Sequence, residues 1–216
     1  MIRSGRLGRI TYLAGLQAED WLRPYRDTWR HDPSISCGGQ LNDAGSHLLD
    51  IMLWVTGLAP ARVFAEIDNR SAAVDILTSL TIRFSDGAIG SISVVGDAPR
   101  WREEISFYGE AGALYVREHS LLFEDAASDS LPQDLTGTAH YVGDVDRNFI
   151  DSILGRDVPQ TPPACALRVT QLTEAAWKSA QSRQPVEIAE WPVDDWAWAA
   201  NRVQLTGQRH PLDEHR

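Results

Sequence analysis

Lysine is nearly absent from this chain. Of the 20 basic residues among 216, all but Lys178 are arginine, so chemistry that needs a titratable amine has one candidate. Cysteine is almost as scarce. Cys37 and Cys165 stand far apart and form no Cys-x-x-Cys pair, which excludes a disulfide scaffold and predicts two reduced, buried thiols. No apolar run approaches the ~18–20 residues of a membrane-spanning helix, and Met1 to Arg6 carries no signal-peptide core. Positive charge is also short. Thirty Asp+Glu against 20 Lys+Arg leave a net charge of −10, which disfavours nucleic acid and anionic membrane as partners. No Gly-x-Gly-x-x-Gly follows a strand and no βαβ series occurs, so no Rossmann domain is expected in this chain. These absences predict a soluble, cytoplasmic protein. What remains is ordinary globular composition, 43 % hydrophobic and 23 % charged, in a chain long enough to bury roughly 70 % of its unfolded surface.

The residue pattern predicts a first strand over Arg9–Leu16 and then a long irregular connection, 17–40, of the kind that is more often functional than idle. The clearest helix spans Asp43–Val55. Leu48, Ile51, Met52 and Val55 keep its period, Asn42 or Asp43 can cap its start, and Gly57 closes it. Five strands follow, at Arg62–Asp68, Asp75–Phe84, Ala88–Gly96, Trp101–Gly109 and Ala113–Glu118. Ser85-Asp86-Gly87 and Gly109-Glu110-Ala111-Gly112 supply turns between them. A polar loop is expected over 125–140, then helices Val142–Leu154 and Ala164–Arg183 and a short strand Val186–Ile188. Consecutive strands joined by tight turns make an α+β domain: an open, mainly antiparallel sheet with helices on one face. It is expected to occupy 1–189, with 190–216 as a tryptophan-rich extension carrying Trp191, Trp196 and Trp198. The segments 76–82 and 89–95 mix apolar and small hydroxyl residues on both faces, and the resulting flat face suits pairing with a second copy.

The densest chemistry lies in Gly38-Gly39-Gln40-Leu41-Asn42-Asp43-Ala44-Gly45-Ser46-His47-Leu48-Leu49-Asp50. Asp43 and His47 are four residues apart, so a helix stacks them on one face, with Asp50 on the same side. The arrangement suits general acid–base work, because a carboxylate can orient and tune an imidazole that titrates near neutrality. A capping Asp with a surface ion pair explains the same spacing. A metal site is a third reading, although no further His or Cys clusters nearby. The preceding glycines allow backbone to approach another group closely. Trp21, Tyr25, Arg26, Trp29, Arg30 and His31 lie just upstream, a composition suited to polyol or carboxylate recognition or to pinning the loop. His119 and His140 are expected at the surface.

The Gly-Gly-x-Leu-x-Asp-x-Gly-x-His-x-x-Asp run resembles the substrate-domain signature of the glucose–fructose oxidoreductase / inositol dehydrogenase (Gfo/Idh/MocA) family. Gly5 to Ile10 is similar to that family's entry into its first substrate-domain strand, and Phe84 to Ala88, Phe107 to Leu114, Phe149 to Ile153 and Lys178-Ser179-Ala180 are similar to later parts of the pattern, in the same order. The resemblance implies a dihydrodipicolinate-reductase-like C-terminal domain and oxidation of a hydroxyl on a sugar, polyol or related small molecule. It implies His47 as acid/base with Asp43 beside it, substrate contacts from Arg26, Trp29 and Gln40, and homo-oligomers through the sheet face. It also implies NAD or NADP, bound in that family by a preceding nucleotide-binding domain that carries a Glu-Lys-Pro motif. No Glu-Lys-Pro occurs here, and Lys178 sits in an ordinary helical setting. The expectation is therefore a fragment or split protein whose cofactor half is supplied by a separate nucleotide-binding polypeptide, or else a non-catalytic ligand-binding or oligomerisation module. The chain alone is expected to hold neither cofactor nor metal.

Overall fold

The first strand, β1 (Ile10–Asp20), runs through the middle of a nine-stranded sheet. It belongs to a computed structural model that describes residues 1–137 and 144–189. The strand is longer than its sequence pattern suggested. The expected irregular connection begins only after Asp20 and contains a 3-10 turn at Trp29–His31 and the one-turn helix α1 (Pro33–Ser36). Asp32 caps α1 by accepting from the Ser34 amide at 2.9 Å.

The main helix α2 (Gly45–Thr56) lies close to its expected span and ends at Gly57. Its start differs: Ala44 is the cap residue, and no side chain caps the helix. The strands β2 (Pro60–Asp68), β3 (Leu77–Phe84), β4 (Ile89–Val95), β5 (Asp97–Gly109) and β6 (Gly112–Arg117) match the five expected. Two more are not among the expected elements: β7 (Ser120–Asp125), and β8 (Gln133–Asp134) within the expected polar loop. The helices α3 (Val145–Ile153) and α4 (Pro163–Ser182) and the short β9 (Val186–Glu187) complete the described residues. His140 and the tryptophans of 190–216 lie outside them.

The strand order is β8-β7-β6-β5-β1-β4-β3-β2-β9, and every neighbouring pair is antiparallel except β1 with β4. After α2, the β2–β3–β4 meander brings β4 back beside β1, which forces that one parallel pair. The Ser85-Asp86-Gly87 turn forms as expected. Gly87 takes φ +93° and its amide donates to the Phe84 carbonyl at 3.0 Å, a conformation natural to glycine.

Leu48, Leu49, Met52 and Leu53 of α2, with Leu172 and Ala176 of α4, are buried in one cluster with Leu13, Ile82, Phe84, Ile92, Ile105 and Phe107 of the sheet. Each large aliphatic or aromatic side chain buried here contributes about 1.5–3 kcal/mol. Gly15 lets α2 sit close, since a Cβ there would come within 2.6 Å of the Met52 sulfur. β3 and β4 alternate in burial, while Leu77, Ile89 and Val95 keep apolar residues on the outer face as well. Thr78, Leu80, Ile82 and Phe84 point inward, as do Gly90, Ile92 and Val94, while Ser79, Thr81, Ser91 and Ser93 lie on the other face. The small hydroxyls therefore collect on the helix-free side, where water can solvate them. Cys165 is buried as expected, but Cys37 is exposed, because it ends α1 in a left-handed conformation at φ +58°.

Candidate active site

The site begins with a buried carboxylate. Asp75 sits just before β3, and its Oδ1 accepts from the Gly39 amide (2.9 Å) and from Trp177 Nε1 (3.0 Å), while Oδ2 accepts from the Leu41 amide (2.7 Å). Its carbonyl accepts from the Gln40 amide at 2.9 Å. The glycines before α2 thus wrap an internal anion. A Cβ on Gly39 would lie 2.1 Å from the Asp75 carbonyl oxygen, so no other residue fits without moving backbone. The close approach inferred from the glycines is real, and its object is Asp75.

From this loop the chain turns into α2, with the Asp43 amide donating to the Gly39 carbonyl at 3.0 Å. Asp43 precedes the helix and its side chain does not cap it. Its Oδ2 accepts from Trp21 Nε1 and from Arg30 Nε, both at 2.9 Å. Trp21 is only 1 % exposed and sits in a small cluster with Leu22, Val74 and Ile76. Its indole is therefore a fixed donor. The Arg30 guanidinium lies over Tyr25 (4.5 Å) and Trp29 (4.6 Å), held by cation–π contact. Asp43 remains 39 % exposed, and its Oδ1 accepts no hydrogen bond among the described residues.

His47 lies in the first turn of α2 with an exposed side chain. The carboxylates whose charge it meets are Asp50, one turn along, and Glu103 of β5. Burial pushes both above the ordinary carboxylate range, and the His47 charge opposes that rise. Glu103 is paired in register with Gln17 of β1, which is itself 5 % exposed with an unpartnered Oε1. Neither residue stands out in the sequence. The signal that could have found Glu103 is a carboxylate at an inward position of a strand, two residues before buried Ile105.

The other expected site residues separate. Trp29 is 53 % exposed beside Arg30. Gln40 is fully buried, its amide donating to Glu19 at 3.4 Å, and it packs beneath the loop with no surface open to a ligand. Arg26 is exposed and lines an open concavity of about 720 Å³ with His31, Asp32 and Arg70, apart from Asp43 and His47. His31 stacks on Trp21 at 4.9 Å, and burial, then the Arg26 charge, lowers its pKa against the opposing pull of Asp27. Among the described residues, no group of three His, Cys, Asp or Glu side chains is placed to hold a metal ion. No described helix is long and apolar enough to cross a membrane.

A dinucleotide needs backbone amides free to cradle its pyrophosphate. In the glycine loop that could resemble such a cradle, the Gly39 and Leu41 amides go to Asp75 and the Gly38 amide to Ser36 Oγ. The described residues do not fit a nicotinamide nucleotide. What they supply is a rigid carboxylate with one open oxygen near the start of a helix, and an exposed imidazole flanked by two half-buried carboxylates. That combination can orient a hydroxyl and accept its proton.

Comparison with solved structures agrees with the fold. An oxidoreductase domain protein from Kribbella flavida superposes with TM-score 0.77 at 21 % identity, over 88 % of this chain and 61 % of that one. The WlbA dehydrogenase from Bordetella pertussis, solved with NADH and UDP-GlcNAcA, gives TM-score 0.73 at 21 % identity, over 88 % and 60 %. Levoglucosan dehydrogenase, solved with NADH and levoglucosan, gives 0.66 at 21 %, over 88 % and 61 %. The chain thus spans about three-fifths of the length of these structures. No curated protein matches it. The family model for the GFO/IDH/MocA C-terminal domain matches residues 1–115, more than half of the chain, and the chain belongs to the GFO/IDH/MocA oxidoreductase family, whose C-terminal domain it carries.

Proposed function

We propose that this chain is the substrate-binding part of an NAD(P)-dependent oxidoreductase that oxidises a hydroxyl of a sugar, polyol or related compound. The observation that carries the reading is Asp43, held on one oxygen by Trp21 and Arg30 with the other oxygen unbonded, at the entrance to the helix that presents His47. His47 accepts the hydroxyl proton on its ring. Asp43 orients the substrate from its open oxygen, and Trp29 and Arg30 present an aromatic face and a cation to the rest of the molecule. A sugar ring suits such a surface, because its C–H face packs on an aromatic ring while its hydroxyls bond to charged groups. The nicotinamide cofactor is held by a domain or polypeptide outside the described residues. WlbA dehydrogenase was solved with NADH and UDP-GlcNAcA, and levoglucosan dehydrogenase with NADH and levoglucosan, which supports the substrate class.

The test is turnover of a panel of sugars, sugar acids and polyols after this chain is joined to, or mixed with, a family nucleotide-binding domain. Formation of reduced nicotinamide is the readout. With a substrate in hand, His47→Asn is expected to lower kcat by about 10²–10⁴-fold, the scale of general acid–base assistance. Asp43→Asn is expected to do less damage. Unchanged turnover in the His47 variant would leave the helix start a structural feature and the chain a ligand-binding or oligomerisation module.

A further inference from the structure

We propose that Glu103 of β5 is a positioning residue for His47, supplying the negative charge that its ring needs as it takes the substrate proton. This role rests on His47 being the proton acceptor. A base that gains a proton becomes a cation, and a carboxylate beside it lowers the cost of that charge. Asp43, the carboxylate that the helical spacing brings forward, is already matched: Trp21 and Arg30 both donate to its Oδ2 at 2.9 Å. The counter-charge comes from another element.

The sheet register places Glu103 beneath the start of α2. Gly15 of β1 faces that helix, because a Cβ there would meet Met52 and Leu48 at 2.6 and 3.4 Å. Gln17, two residues on, faces the same way. Glu103 lies opposite Gln17 on β5, and Val94 lies opposite it on β4. Directly opposite residues of an antiparallel pair share a face, with Cβ atoms about 4.5–5.5 Å apart. Val94 in turn lies against Gly45, the first residue of α2, where a Cβ would meet a Val94 methyl at 3.1 Å. The row Glu103–Gln17–Val94 thus crosses beneath the first turn of α2, the turn that carries His47.

The neighbours of Glu103 leave its charge unmatched. Glu104 points to the opposite face of the sheet, and Arg102 and Arg117 both pair with it there. Gln17 is uncharged, and its buried Oε1 has no donor of its own. Glu19, the next inward residue of β1, accepts from Gln40 Nε2 at 3.4 Å. Among the described residues, no Arg or Lys pairs with the Glu103 carboxylate. The charge that reaches it is that of His47, which opposes the rise that burial imposes on the Glu103 carboxyl. Asp50, the other carboxylate that feels His47, is turned toward α3 and α4. It lines an apolar groove with Trp54 and Phe149, and its charge bears on Cys165. His47 therefore has one carboxylate on the helix side and one on the sheet side. The sheet-side one stands on a rigid central strand and shares its row with residues under the site.

Carbon-13 NMR of the glutamate carboxyls, followed through a pH titration of the full chain, tests the coupling without any substrate. The Glu103 midpoint should rise by about 0.5–1 pH unit in His47→Asn, because a cation that favours its charged form is gone. An unmoved midpoint overturns the proposal, whatever His47→Asn does to turnover. The second measurement is turnover of the chain joined to a family nucleotide-binding domain. By linkage the same coupling acts on His47, so Glu103→Gln should lower kcat by about 3–10-fold, with KM little changed. The limb on which kcat falls toward acid should move to lower pH. Glu103→Asp, which keeps the charge, should recover most of the loss, whereas Asp50→Asn should cost less than Glu103→Gln. Full kcat in Glu103→Gln alongside a large loss in His47→Asn overturns the role of Glu103 and leaves His47 as the base. Full kcat in both variants overturns the reading of His47 itself, and the role of Glu103 with it.

Discussion

Replacing Asp75 by asparagine tests whether the loop before α2 is built on a buried carboxylate. The side chain keeps its volume and can keep one oxygen facing Gly39 and Trp177, at 2.9 and 3.0 Å. The amide nitrogen then takes the place of Oδ2, 2.7 Å from the Leu41 amide. Two donors face each other there. The variant loses a bond to a charged acceptor, worth about 1.5–3 kcal/mol, and leaves a buried donor unmatched at a further cost of about 1–3 kcal/mol, of which relaxation recovers part. A net loss of about 2–4 kcal/mol is expected, a large share of the roughly 5–15 kcal/mol that holds a domain folded. Asp75 is only 6 % exposed, so water cannot easily fill the gap. Urea unfolding followed by far-ultraviolet circular dichroism should show the midpoint falling by about 1–2 M with little change in slope. Glu66→Gln, on an exposed β2 position, is the control and should stay within about 0.5 kcal/mol. A loss under about 1 kcal/mol in Asp75→Asn would refute the idea that this carboxylate anchors the loop.

Asp50 and Glu103 both have carboxyl pKa values raised by burial, so the stability they contribute is full below the ordinary carboxylate range and is lost as pH rises through the raised values. Asp50→Asn and Glu103→Gln should therefore raise Tm at neutral pH, with the gain shrinking toward about pH 4; a constant or absent gain would contradict the burial argument. Calorimetric titration of this chain alone with NAD or NADP is expected to show no binding, because the Gly39 and Leu41 amides of the glycine loop are spent on Asp75; micromolar binding would show a cradle elsewhere. Sedimentation at low micromolar concentration should give a dimer or larger, paired through the helix-free sheet face on which Tyr12, Tyr108 and Tyr115 form a ladder of edge contacts. A clean 24 kDa monomer would remove that expectation.

The fold was readable where side-chain period is strict. Leu48, Met52 and the cap at Gly57 marked α2, and the Asp-Gly turn after Phe84 marked the β3–β4 hairpin. It was unreadable where pairing alone makes the strand. Ser120–Asp125 has no alternation, yet it forms β7 because β6 offers a free edge beside it. Gln133–Asp134 forms β8 the same way. The alternation of β3 and β4 was hidden by threonine and glycine: Thr78 and Gly90 occupy inward positions without being hydrophobic. Gly90 leaves room there for Leu13 and Phe84, to which a Cβ would come within 3.0 and 3.1 Å.

The site was half readable, for a reason that lies in competing uses of one carboxylate. An Asp just before a helix is the usual cap, because the first amides of a helix have no partners within it. Asp43 stands in that place and does something else. The preceding turn has already answered those amides: the Gly45 amide donates to the Gln40 carbonyl at 2.9 Å and the His47 amide to the Ala44 carbonyl at 3.2 Å. That turn in turn depends on Asp75, which lies more than thirty positions away and fixes the Gly39 and Leu41 amides. Local sequence cannot show that a distant carboxylate has released a near one from capping. Once released, Asp43 can turn to Trp21 and Arg30 and keep an oxygen open. The motif names the residues, but only the loop around Asp75 explains why Asp43 is available for chemistry at all.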